Sequence, residues 1–71
     1  MIKLQFKLKN SRKWHDSSLS MHEAGSDTMH GHAKELIRQE GWIAARCVDK
    51  DDETRVLWII QPGGLGDWKD V

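Results

Sequence analysis

The chain has 71 residues, with 11 Lys and Arg against 11 Asp and Glu, four histidines, four tryptophans and one cysteine, Cys47. That length suits a single domain over residues 1–71, close to the lower limit at which one core holds without staples. The single thiol excludes an internal disulfide and fits a reducing, cytoplasmic setting, and no apolar run approaches the roughly 18 residues of a membrane span. The expectation is a soluble chain in the cytoplasm.

Residues 2–9 alternate strictly. Ile2, Leu4, Phe6 and Leu8 are apolar, with Lys3, Gln5, Lys7 and Lys9 between them. Period two marks a half-buried strand with a cationic outer face, and it is unlike the continuous apolar stretch of a signal peptide. With Arg12 and Lys13, the first fourteen residues carry five positive charges and no negative one, so charge is segregated rather than absent. Asn10 and Ser11 are turn formers that end the strand. Residues 13–19 return as a second strand with Trp14 on one face, and residues 20–26 read as a loop.

Met29, Ala33, Leu36 and Ile37 fall on one stripe of a helix over about 27–40. Ser26, Asp27 and Thr28 are N-cap residues, and Gly41 is a left-handed stop. Gly31 lowers helix propensity by about 1 kcal/mol, which places the weakest turn near the start. Trp42–Val48 and Thr54–Ile60 are apolar and β-branched runs around the acidic connection Asp49–Glu53, and they form a β-hairpin. Pro62, Gly63, Gly64 and Gly66 end regular structure, leaving a short Gly-rich tail (62–71) whose Trp68 folds back or meets a partner.

Strand, helix and hairpin make an α+β domain, β(β)αββ, in which one helix packs on a three- to four-stranded, mostly antiparallel sheet. One parity turns Ile43, Ala45, Cys47, Val56, Trp58 and Ile60 toward the helix. Trp42, Ala44, Arg46, Arg55, Leu57 and Ile59 then share the outer face with the lysines of the first strand. The modest core leaves a monomer or a homodimer open.

The outer face is the first candidate binding site: Lys3, Lys7, Lys9, Arg12, Lys13, Arg46 and Arg55. Its field favours phosphates or carboxylates, and Trp14 and Trp42 could stack on bases or fill a partner's pocket. A one-sided sheet also needs a polar outer face simply to stay dissolved, and edge lysines block aggregation. Lys34 and Arg38, four apart on the helix, form a second basic pair. Glu35 faces elsewhere and does not neutralise that pair directly.

His15, His22, His30 and His32 lack zinc-site spacing, and His30 and His32 point about 200° apart on a helix, so no metal ligand is assigned. Cys47 lies within a strand, where a buried thiol is an inert small hydrophobe. The serines have no nucleophile elbow, and Pro62–Gly66 is no phosphate loop. Asp49–Glu53 has the composition of a calcium loop without its ligand ladder or flanking helices. No catalytic residue and no cofactor are assigned, and an enzyme is not expected.

Ala33, Lys34 and Leu36 on the helix, Gly41 ending it, Arg46 in the next strand, Leu57 and Trp58 in the last, then Trp68 and Asp70, together resemble a small phage-encoded anti-CRISPR family of type I-F. The resemblance covers about half of the chain. It implies a non-enzymatic inhibitor, with one helix against an antiparallel sheet, that binds the backbone subunits of a crRNA-guided surveillance complex and hinders pairing of target DNA with the guide. Lys34 matches the position of a basic contact. The family places a second basic residue directly after it, where this chain has Glu35, with Arg38 as a partial substitute.

The expected function is that of a small inhibitory interaction protein from a phage or mobile element, acting in the host cytoplasm on a nucleoprotein complex. The alternative is a nucleic-acid-binding module that uses the basic sheet face directly.

Overall fold

The computed structural model describes residues 1–62 and 68–70. Strand β1 is Ile2–Lys7, β2 is His15–Met21, helix α1 is Ser26–Glu40, β3 is Ala44–Asp49, β4 is Val56–Pro62 and β5 is Trp68–Asp70. Every neighbouring pair in the sheet is antiparallel, in the order β2-β1-β3-β4, with the short β5 outside β4. Because β2 and β3 both oppose β1, they run parallel to each other. Helix α1 joins them by crossing over β1. The result is the expected α+β architecture: one helix on one face of a four-stranded sheet. No described helix is long and apolar enough to cross a membrane.

Alternation in β1 buries Ile2 and Leu4 completely, and they meet Met29, Ala33 and Ile37 of α1 together with Ala45, Cys47 and Ile60. Leu8 does not join them. The strand stops at Lys7, Ser11 N–H donates to the Leu8 carbonyl, and Asn10 takes φ +73°, so Leu8 is left exposed. The second strand begins two residues later than expected and runs on to Met21, absorbing part of the expected loop, because Met21 pairs with Ile2. A single 3-10 turn, Glu23–Gly25, leads into α1.

The helix follows its stripe, with Leu36 half-buried at its flank, and Gly41 closes it at φ +71°. None of the three expected N-cap side chains caps it. Gly25 occupies the cap position, and the Ser26 hydroxyl accepts a hydrogen bond from Trp58 Nε1 at 2.9 Å. That bond ties the helix start to β4, and the His30 ring meets the Trp58 ring edge-on at 4.8 Å.

Parity in the hairpin departs from expectation at both ends. A bend at Ile43 precedes β3, so Trp42 turns inward and stacks on Phe6 at 4.3 Å, while Ile43 is exposed. In β4, Cys47 faces Trp58 and Val48 faces Val56, so Leu57 is an extra residue in a β-bulge. The bulge reverses parity before it. Val56 therefore stands on the outer face and is exposed, Leu57 packs against the core, and Arg55 turns to the helix side to pair with Glu23. Ala45, Cys47, Trp58 and Ile60 lie as expected.

Regular structure also continues past the expected stop. Pro62 is the last residue of β4 and pairs with Trp68 of β5, two residues beyond the Ala45–Ile60 pair that ends the β3–β4 ladder. A proline that far past the ladder removes no bond to β3. Gly63, Gly64 and Gly66 lie outside the described residues.

The two helix glycines separate conformation from packing. A Cβ at Gly31 meets nothing within 4 Å in an ordinary helical turn, whereas Gly41 is equally open but left-handed. Gly31→Ala is expected to raise the unfolding free energy by about 0.5–1 kcal/mol and Gly41→Ala to lower it by about 1 kcal/mol. Urea denaturation followed by circular dichroism measures both.

Candidate interaction surface

The outer face of the sheet is a polar network centred on Gln5, whose residue is only 2% exposed. Gln5 Nε2 donates to Asp16 Oδ1 of β2 at 2.8 Å and to Glu53 Oε1 of the β3–β4 turn at 2.9 Å, and its Oε1 accepts from Arg46 Nε of β3 at 2.8 Å. Two acceptors and one donor around one amide admit a single orientation of that amide. Lys3 lies beside it, 3.3 Å from Asp16 and 3.4 Å from Glu53. No buried side-chain nitrogen or oxygen among the described residues is left without a partner.

The cationic face anticipated from alternation is therefore partly neutralised from within. Lys3 is held between two carboxylates and Arg46 is held by Gln5. Arg55 lies on the other side of the sheet, bound to Glu23 and 3.3 Å from Asp49. Sequence reasoning missed Asp16 and Glu53 as partners of this face. Asp16 is eleven residues from Gln5 and Glu53 forty-eight, so only strand pairing and the return of the hairpin bring them together.

The remaining cations of the anticipated face gather at one end. Lys7 closes β1, and Lys9, Arg12 and Lys13 are exposed in the β1–β2 connection, where no acidic side chain among the described residues pairs with them. Trp14 follows. Lys7 Nζ lies 4.8 Å and the Arg46 guanidinium 4.5 Å from its ring centroid, cation–π contacts of about 0.5–1 kcal/mol each where solvent reaches them. Ile43 donates its N–H to the Lys7 carbonyl, which brings two exposed aliphatic side chains, Leu8 and Ile43, to the same end. Trp42 is not part of this surface, since it is buried against Phe6.

The helix pair stands apart on the other layer. Lys34 and Arg38 rim an open depression of about 320 Å³ whose floor includes Ile37 and Ile60. Contrary to expectation, Glu35 does reach this pair, through an i,i+3 bridge to Arg38 at 3.2 Å. Both side chains are largely exposed, and such a pair contributes only a few tenths of a kcal/mol.

The histidines take separate places. His15 lies 2.9 Å from the Ser11 hydroxyl and 5.5 Å from the Phe6 ring, His30 is against Trp58, and His22 and His32 are exposed. Among the described residues no three His, Cys, Asp or Glu side chains converge as a metal site. Burial pushes the Cys47 thiol up to about 11, so it stays protonated at neutral pH. The acidic hairpin tip is bound up in its own turn. Asp49 accepts from the Asp51 N–H, and Asp52 accepts from the Thr54 N–H and hydroxyl.

The network has a defined response to pH. Donation from Gln5 lowers the Asp16 pKa, with Lys3 helping against the opposing effect of burial, and Gln5 followed by Lys3 lowers that of Glu53. Burial pulls the Lys3 ammonium down, but the two carboxylates outweigh it and its pKa ends above the ordinary value. Carboxylates depressed in the folded state stabilise it above their ordinary values of 3.8 and 4.5, and that contribution is lost as pH falls through the lower folded values.

Acid titration of the wild type is therefore expected to show stability declining below about pH 5, with a shallower decline in Asp16→Asn/Glu53→Gln. Equal slopes in the two proteins would mean that neither carboxylate is held. Gln5→Met removes the amide while keeping the volume, and is expected to lower the unfolding free energy by about 1–3 kcal/mol through orphaned polar groups, read from urea melts at pH 7. No protein-family model, curated protein or solved structure matches this chain.

Proposed function

We propose that this chain is a non-enzymatic interaction protein that docks on a nucleic-acid-handling complex through the β1–β2 end. The observation that carries the reading is the concentration there of Lys9, Arg12 and Lys13, with no acidic partner among the described residues, beside Lys7, Arg46 and Trp14. A field of that kind attracts a phosphate-rich surface and speeds encounter with it. Leu8 and Ile43 add apolar area at the same end, which favours a partner with a protein component over naked nucleic acid.

The resemblance of residues 33–70 narrows the partner to a crRNA-guided surveillance complex of type I-F. The protein would then come from a phage or mobile element and hinder target DNA binding in the host cytoplasm. Lys34 and Arg38 provide a second candidate contact on the helix layer. Direct binding of nucleic acid is the second reading, favoured by an aromatic ring flanked by cations.

The test is co-purification of the tagged protein with a type I-F complex from cells that express it, scored together with protection of phage. Arg12→Glu/Lys13→Glu is expected to reduce capture at least tenfold while leaving the circular dichroism spectrum unchanged. Absence of capture by the wild type would exclude this partner, and loss only in Lys34→Glu/Arg38→Glu would move the interface to the helix. Fluorescence anisotropy with free duplex and single strands addresses the second reading, which requires binding that weakens steeply with salt.

A further inference from the structure

Lys3, Gln5 and Arg46 present an ammonium, an amide and a guanidinium within one patch of the outer face, where Lys3 and Gln5 hold carboxylates of the chain itself and Arg46 holds the Gln5 oxygen. The geometry of that patch is asymmetric. The Lys3 side chain is only 15% exposed, whereas those of Asp16 and Glu53 are 59% and 57% exposed. The Lys3 ammonium thus lies beneath and the two carboxylates lie above it.

The two carboxylates are anchored differently. Asp16 belongs to β2 and is paired with Gln5 in the ladder, so its backbone is fixed. Glu53 stands in the turn between β3 and β4, where residues 50–55 are all exposed and the turn is closed by its own hydrogen bonds, Asp52 N–H to Asp49 and Arg55 N–H to Asp52. Its side chain can leave the patch by rotation, without breaking any of those bonds. Lys3 lies 3.4 Å from both carboxylates in its hydrogen bonds to them, so the bond that Glu53 must give up on leaving is the 2.9 Å one it accepts from Gln5. Arg46 links the patch to Trp14 and Lys7, so it is continuous with the basic β1–β2 end.

We propose that Lys3 and Gln5, with Arg46 holding the Gln5 amide in place, form a phosphate-binding extension of the basic end that Glu53 occupies in the free protein, and that a phosphodiester of the partner's nucleic acid displaces the Glu53 carboxylate. This rests on the reading of the β1–β2 end as the docking surface and adds to it a self-inhibitory contact. Glu53 excludes weakly held anions by occupying the donors. A nucleic-acid strand already anchored on Arg12, Lys13 and Lys9 presents its next phosphate at high effective concentration and takes the place of Glu53. No covalent step is involved.

The test compares the affinities of purified wild type, Glu53→Gln, Asp51→Asn and Lys3→Met/Glu53→Gln for a labelled oligothymidylate, by anisotropy across a salt series. Glu53→Gln keeps an oxygen that can accept from Gln5 and so preserves the fold, which circular dichroism checks. Asp51→Asn removes the same charge two residues away and controls for the general field.

The expected result is binding about three- to tenfold tighter for Glu53→Gln than for Asp51→Asn at low salt, with a salt slope steeper by about 0.7 for one added phosphate on a single strand. The gain should vanish in Lys3→Met/Glu53→Gln. Equal affinities for Glu53→Gln and Asp51→Asn, or no binding by any variant at low salt, would overturn the inference. So would competition by polyglutamate as effective as that by unlabelled oligonucleotide at equal charge. Failure of the docking reading is separate, since it would appear as unchanged capture of the complex by Arg12→Glu/Lys13→Glu.

Discussion

The Gln5 amide is the point on which the outer layer of this small protein depends. It sits in the middle of β1, the strand flanked by both β2 and β3 and crossed by α1. A buried amide carries a desolvation cost that only saturated hydrogen bonding offsets. Gln5 meets that condition by drawing one group from each of three segments: Asp16 from β2, Arg46 from β3 and Glu53 from the β3–β4 turn. The same strand sends Ile2 and Leu4 to the opposite side, into the core under α1. One strand thereby organises both layers, with apolar burial on one face and a saturated polar cluster on the other.

That arrangement redistributes charge. The chain is neutral in sum, and its acidic groups are spent unevenly. Asp16 and Glu53 neutralise Lys3, and Glu23 and Asp49 neutralise Arg55, whereas Lys9, Arg12 and Lys13 have no such partners among the described residues. Of the cations in residues 1–14, those without such partners therefore lie at the end of the sheet where β1 turns into β2. Helix α1 also ends there, because Gly41 leads through Ile43 to the Lys7 carbonyl. The negative end of the helix macrodipole thus lies toward the cationic end, an arrangement that lowers the self-repulsion of a small patch of like charges.

The fold was largely readable from local pattern. The Met29–Ala33–Ile37 stripe, the glycine stop at Gly41 and the Asn10 turn each rest on interactions within a few residues and stand where expected, and the period-two strand expected over residues 2–9 holds as far as Lys7. The structure departs from local pattern where a neighbour outside the element overrides local preference. Ser26 lost its capping role to the Trp58 indole, Leu8 was cut off by the turn that follows it, and the bulge at Leu57 inverted the parity that had placed Arg55 and Val56. A bulge adds one residue without any compositional mark, so alternation alone does not reveal it.

The candidate surface divides along the same line. Its composition, cations clustered before residue 14 with a tryptophan beside them, is a property of the sequence, because adjacent residues in a turn stay adjacent in space. Which of those cations remain free was decided by tertiary structure. Lys3 and Lys9 are equivalent in the alternating pattern, yet Lys3 lies between two carboxylates brought from thirteen and fifty residues away, while Lys9 faces water. Ion pairing depends on separation in space, and that separation is set only when β2 and the β3–β4 turn close around β1.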